Sequence, residues 1–236
     1  TYAAWRYFAA SSADWLDAWL RAVTFGLAAL LVAFEIDTLV WNTIDPAARH
    51  PWYQSYGIGT PMHAIGWLAM AIGLLQAVDR GAALVRGVRR LLFALAALAS
   101  MTTLVDSPVW SSYDTGAWPV VNFLLLSYLA PAALMLAFAR AARPIEPRGL
   151  VFAAAGLALI LGFAWVTLET RHAFRGSNLS AGTMSDAESY AYSAVWLVYA
   201  GLLLAGGLWQ KSQALRIGSL VVVMEAVLKV FLVDMD

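Results

Sequence analysis

The stretch "GLVFAAAGLALILGFAWVTLE", residues 149–169, carries no charge until Glu169 closes it. At about 1.5 Å of rise per residue, a helix of that length crosses the roughly 30 Å hydrocarbon core of a bilayer, so the stretch reads as a transmembrane span. The remainder agrees. The 236 residues are 61% hydrophobic and 13% charged, where soluble domains are roughly half apolar and a quarter charged. The fold class expected is all-α, a polytopic transmembrane helix bundle. The formal net charge is zero and no Lys/Arg-rich run follows phosphates, so nucleic acid is not a partner. The absence of cysteine excludes disulfides, thiolate metal sites and a Cys nucleophile.

Working outward by apolar length and turn signals predicts seven spans, at about 22–41, 61–78, 89–106, 119–139, 149–169, 188–208 and 214–233. Between them, "DRGAALVRGVRR", "RAARPIEPRG" and "WQKSQALR" alternate with "DPAARHPWYQSYGIGT", "DSPVWSSYDTGA" and "RHAFRGSNLSAGTMSD". Eleven Lys/Arg residues fall in the first set of loops or ahead of the first span, and three, Arg49, Arg171 and Arg175, in the second. This positive-inside asymmetry puts the first set in the cytoplasm, and the aromatic-rich second set and the C-terminus outside. Residues 1–21 are different. In "SSADWLDAWLR" the residues Trp15, Leu16, Trp19 and Leu20 share one helical face, with Asp14, Asp17 and Arg21 on the other, which describes an interfacial helix or a linker ahead of the bundle at 22–236. A first residue Thr with no signal segment, and an apolar run just before Asp236, suggest a piece of something longer.

Two exterior loops look related. "PWYQSYGIGTP" at 51–61 and "PVWSSYDTGAWP" at 108–119 match at Pro51/Pro108, Ser55/Ser112, Tyr56/Tyr113 and Gly59/Gly116, all at an offset of 57 residues. That is the pattern of a repeated two-helix unit, or a coincidence of turn-rich sequence. The same loops hold Trp52, Tyr56, Trp110 and Tyr113 near Asp106 and Asp114. Those rings suit the aromatic belt at headgroup level, or a platform on which carboxylates accept hydroxyls from a sugar or lipid headgroup.

The third exterior loop carries the densest chemistry. Glu169, Arg171, His172, Arg175, Asp186 and Glu188 gather between the fifth and sixth spans, with interleaved signs that allow a self-neutralising network. They also allow a site: Arg171 and Arg175, one helical turn apart, to grip a phosphate or carboxylate and bind substrate with Glu188, and Glu169, His172 or Asp186 as catalytic acid or base. His63 and Asn122 stand where they can join from facing helices. The network expected contains Glu169, Arg171 and at least one of Asp186 and Glu188. Three scattered histidines show no ligand spacing, so no metal and no cofactor is expected.

Within the spans, ionisable groups need a partner or a purpose. Glu225 and Lys229 lie four apart in the acid-before-base order that pairs best along a helix, which predicts an intrahelical pair, with Lys229 snorkelling outward, or else one wall of a substrate path. Glu35 and Asp37, in "FEIDTLVWN", cannot share a face, so one of them turns inward.

The segments "TLETRHAFRG", "SDAESYAYSAVWLVYAGLLLAGGL", "SQALRIGSL" and "LKVFLVDM", with "VNFLLLSYLAPAALMLAFAR", resemble the bacterial membrane proteins catalogued as domain of unknown function 2339, closely over residues 118–236 and loosely before. The resemblance implies the C-terminal part of a longer, multi-pass chain in the bacterial inner membrane, and no established activity. One departure is Glu225, where it implies a small or apolar residue.

Three functions fit. The first is a transport or translocation module, or an envelope-biogenesis module, for a polar or lipid-linked compound. The second is an exterior-facing glycosyl- or acyltransferase, and the third a non-catalytic subunit of a membrane complex. The partners expected are membrane lipids, other membrane subunits and the remainder of a longer chain.

Overall fold

A computed structural model describes residues 20, 24, 27–35, 38, 52–76, 83–110 and 114–234, with side chains from Gly59 onward in the first long helix. The described chain is all-helical. After a helical stretch at 27–35 come α1 (Trp52–Leu75), α2 (Ala83–Val105), α3 (Ala130–Ala142, entered through a π-helical turn at Leu125–Leu129), α4 (Arg148–Arg175), α5 (Asp186–Trp209) and α6 (Gln213–Lys229, extended by a π-helical turn at Val230–Asp234). Four of these helices are long and apolar enough to cross a membrane: Ala83–Val105, Leu125–Ala142, Arg148–Arg175 and Asp186–Trp209. The apolar part of α1, Gly59–Leu75, is shorter, α6 carries Arg216, Glu225 and Lys229, and the expected first span lies largely outside the described residues, as do Asp37, Tyr113 and, apart from Leu20, the expected interfacial helix.

Two boundaries differ from expectation for identifiable reasons. The stretch 51–61, expected as an exterior loop, is helical from Trp52, with Pro61 inside the helix, whereas the described parts of its counterpart, 108–110 and 114–119, are turn and irregular chain. At Gly59 and Gly116, the matched pair described on both sides, the local structures differ, helical against irregular. The fourth expected span starts near 123 instead of 119. Pro131 has no N–H to return to the carbonyl of Ser127, and widening the ladder to a π turn just ahead of it accommodates the missing bond.

Short connections make sequence neighbours antiparallel, and the helices pack as hairpins, α1 on α2, α3 on α4 and α5 on α6, joined by contacts of α3 with α1 and of α4 with α5. The core uses small residues for close approach, Ala64, Ala71, Ala96, Ala132, Ala139, Ala154 and Ala158, with Leu68, Leu124, Met135 and Leu161 filling between them. Phe93 and Phe138 stack at 5.0 Å. At Gly162 a Cβ would lie 2.8 Å from the Tyr199 hydroxyl oxygen, so glycine leaves room for the tip of that side chain. The outward faces are apolar, as hydrocarbon requires: Leu91, Leu98, Phe152, Leu197, Leu202, Leu220 and Phe231 are all exposed.

At the basic end of the bundle, Arg89 and Arg90 of α2 both reach Glu146 in the α3–α4 turn. Arg89 Nε donates to Glu146 Oε1 at 2.7 Å and Arg90 Nε to Oε2 at 2.8 Å, while Arg89 Nη2 also contacts Oε1. The Arg89 and Glu146 side chains are fully buried. Burial alone would raise the Glu146 carboxyl, but the hydrogen bonds and charges of the two arginines outweigh it and hold the group below the ordinary glutamate value. This anchor escaped the sequence reading, though "RPIEPRG" did show one acid alone among bases.

Candidate functional site

Helix α4 runs on to Arg175, where Gly176 at φ 67° ends it. Glu169, Arg171, His172 and Arg175, expected in the loop, therefore stand on its last two turns. Helical spacing then sorts them onto different faces. Glu169 and His172, three apart, meet the loop at 114–122; Arg171 and Arg175, four apart, meet the loop at 177–185 and α5.

On the first face the Glu169 carboxylate accepts from the Val120 backbone N–H at 2.6 Å and from Asn122 Nδ2 at 2.9 and 3.2 Å. Asn122 Oδ1 accepts in turn from the N–H of Leu124 and Leu125, starting the next helix. Val120 sits at φ 67°, a left-handed conformation costly for a β-branched residue. His172 is buried and its Nε2 lies 2.7 Å from the Gly116 carbonyl oxygen; a carbonyl only accepts, so this nitrogen carries the proton. The two loops are tied together where the Thr115 N–H and hydroxyl both donate to Ser177 O, each at 2.9 Å.

On the second face Arg171 Nε donates to Leu179 O at 2.7 Å, and Arg175 Nη1 to the carbonyls of Ala181 and Gly182 at 2.9 and 3.0 Å. Arg175 also pairs with Glu188, Nη2 to Oε2 at 3.1 Å, between side chains that are both almost completely buried. The Tyr192 hydroxyl donates to Glu188 Oε1 at 2.9 Å, and the Glu188 N–H caps onto Ser185 Oγ at 3.2 Å. The expected single network is thus two clusters on opposite faces of one helix: Glu169 joins Asn122, and Arg175 joins Glu188. Asp186 stands exposed in the first turn of α5, where its charge suits the helix dipole.

The intrahelical pair expected on α6 is replaced by an interhelical contact. Lys229 Nζ reaches α5 and donates to Ser189 O at 2.8 Å, Ser189 Oγ at 2.9 Å and Ser193 Oγ at 3.0 Å, while Glu225 is exposed on its own helix. The serines were not singled out from sequence; the legible signal was their spacing of four, in register with Glu188 and Tyr192. Elsewhere, His63 Nδ1 donates to Gly59 O at 2.7 Å in its own helix. Trp110 is exposed and its indole N–H donates to Val105 O at 2.7 Å, closing the end of α2. Glu35 is exposed at the end of the stretch 27–35. The side chains of Trp52 and Tyr56 lie outside the described residues.

Between α4 and α5 an open groove of about 340 Å³ is lined by Glu169, Trp165, Thr170 and Tyr199. The Trp165 indole nitrogen is buried there without a hydrogen-bond partner among the described residues. No group of three His, Asp or Glu side chains able to hold a metal occurs among the described residues.

No curated protein and no solved structure matches the chain. The profile of one family, described as a predicted membrane protein, does match, over residues 1–236, so the likeness noted in the second half extends along the whole sequence and the chain belongs to the DUF2339 family.

Proposed function

We propose that this chain is a transport or translocation module that handles a polar or lipid-linked envelope compound at the exterior face of the bacterial inner membrane. The observation that carries the proposal is Lys229. Its ammonium is held by Ser189 and Ser193 across the α5–α6 seam, and the same face of α5 continues outward through Tyr192 and Glu188 to Arg175. A cation and hydroxyls lining one seam toward the loop end supply the polar wall a path requires. In this reading seven spans over 22–236 follow an interfacial helix at 1–21, the basic turns are cytoplasmic, and Arg175 and Arg171 lie at the mouth of the path.

Because the chain has no cysteine, one introduced cysteine reports alone. In a transport module, Ser193→Cys in intact cells reacts with a small impermeant thiol reagent added outside, and the reaction is lost when Leu202→Cys on the outward face is the target. Silence at both Ser193 and Ser189 argues for a non-catalytic subunit instead.

A transferase is the second reading, favoured by the groove lined by both Glu169 and Trp165, whose indole nitrogen has no partner among the described residues. Acid–base work requires the carboxylate to release Val120 and Asn122 on binding. Glu169→Gln keeps an acceptor for Val120; loss of the cellular phenotype with normal folding and normal Ser193→Cys labelling would favour this reading over transport.

A further inference from the structure

We infer that the cavity between α3, α4 and the α5–α6 turn binds the phosphate group of an anionic phospholipid. It has a volume of about 340 Å³ and lies at the bundle end marked by Arg89 and Arg90. Its polar side is made by Arg140, Arg143, Arg148 and Lys211, contributed by the end of α3, the α3–α4 turn, the start of α4 and the α5–α6 turn; Phe152 and Leu215 form part of its apolar side. No acid lines it. Glu146, the carboxylate of the α3–α4 turn, is instead held by Arg89 and Arg90.

Four cations around one cavity repel each other, and none of the four forms an ion pair among the described residues. A dianionic or monoanionic group at their centre removes that repulsion and accepts several charge-assisted hydrogen bonds. The position is also built. Arg140 Nη2 is oriented by Gln210 Oε1 at 3.0 Å, and Lys211 sits at φ 50°, a conformation unusual outside glycine and asparagine. Helix α6 starts at the cavity wall, and its Ser212 cap makes no side-chain hydrogen bond, so the first N–H groups of α6 add a partial positive charge.

The apolar side decides the class of ligand. Free phosphate gains nothing from Phe152 and Leu215, whereas a phosphodiester bearing acyl chains lays its glycerol end and first methylenes there and leaves its tails along the exposed face of α4. Anionic headgroups bind basic pockets between helices at the cytoplasmic surface in this manner.

The test uses the full chain in phosphatidylcholine nanodiscs, titrated with short-chain phosphatidylglycerol and read by native mass spectrometry. Arg143→Gln and Arg148→Gln should each weaken phosphatidylglycerol binding by about tenfold, and Arg86→Gln, the same charge change away from the cavity, by less than about twofold. Inorganic phosphate should bind far more weakly than the lipid. Equal weakening by all three variants would reduce the effect to general surface charge and overturn the site. Phosphate binding as tight as that of the lipid, or equal occupancy by added short-chain phosphatidylcholine, would overturn the lipid assignment. Circular dichroism of each variant establishes folding, which these exposed arginines should not alter.

Discussion

Lys229 Nζ lies 3.0 Å from Ser193 Oγ, so the cation of the last helix is fixed to the helix before it. Replacing Lys229 with Met should therefore lower stability in detergent by roughly 1–3 kcal/mol, the worth of hydrogen bonds to a charged group. Glu225→Leu should be nearly silent, and adding it to Lys229→Met should not restore what the single change lost. Recovery in the double variant, measured by thermal unfolding, would reinstate an intrahelical pair.

Glu146 is the anchor with the largest expected cost. Removing its charge with Glu146→Gln takes away the buried carboxylate that Arg89 and Arg90 share, and breaking a buried pair costs about 3–5 kcal/mol. The pH dependence follows from the lowered carboxyl. The folded group stays ionised to lower pH than the unfolded one, so its contribution is full above the ordinary glutamate value of 4.5 and is lost as pH falls through the folded value beneath it. Denaturation midpoints against pH should drop on the acid side in the parent and flatten there in Glu146→Gln.

Val120 keeps a left-handed backbone at φ 67° because Glu169 holds its N–H. Val120→Gly should stabilise the chain, by up to about 1 kcal/mol, since glycine takes that conformation without the steric cost. Glu169→Ala should instead loosen residues 114–122, with faster hydrogen exchange at the Val120 amide. A destabilising Val120→Gly would mean that the valine side chain packs more than its partial exposure indicates.

Gly162 and Tyr199 should be coupled. Gly162→Ala puts a methyl 2.8 Å from the Tyr199 hydroxyl oxygen, which itself donates to Leu159 O at 3.0 Å. A cost of about 1–3 kcal/mol is expected from such overpacking, and Tyr199→Phe should recover most of it, because the ring carbons of Tyr199 are at ordinary contact distance. Strict additivity in the double-mutant cycle would contradict the contact.

Orientation is testable with the same cysteine-free background. Ser180→Cys should react with an impermeant reagent in intact cells and Ala83→Cys only after lysis; the reverse result would invert the charge-based assignment.

The helices were legible in the sequence because hydrophobic length is a local property. The run at 149–169 falls within one long apolar helix, α4, and α5 at Asp186–Trp209 lies close to the expected 188–208, whereas α2 begins at Ala83, six residues ahead of the expected 89. Asn122 and the cluster on α4 stood out in the sequence because polar groups beside a span are conspicuous. What they do was not legible. Whether Glu169 faces Arg171 or Val120 depends on where α4 ends and how the loop at 114–122 turns, and that turn includes a left-handed valine no propensity favours. Arg89 and Glu146 meet only because α2 packs beside the α3–α4 turn, at a separation of 57 residues. Lys229 makes the distinction plain: the spacing of four offered Glu225, but the ammonium donates instead to oxygens of Ser189 and Ser193 on α5. Only the tertiary structure decides between such partners, because hydrogen bonds select by position in space, and helix packing sets that position.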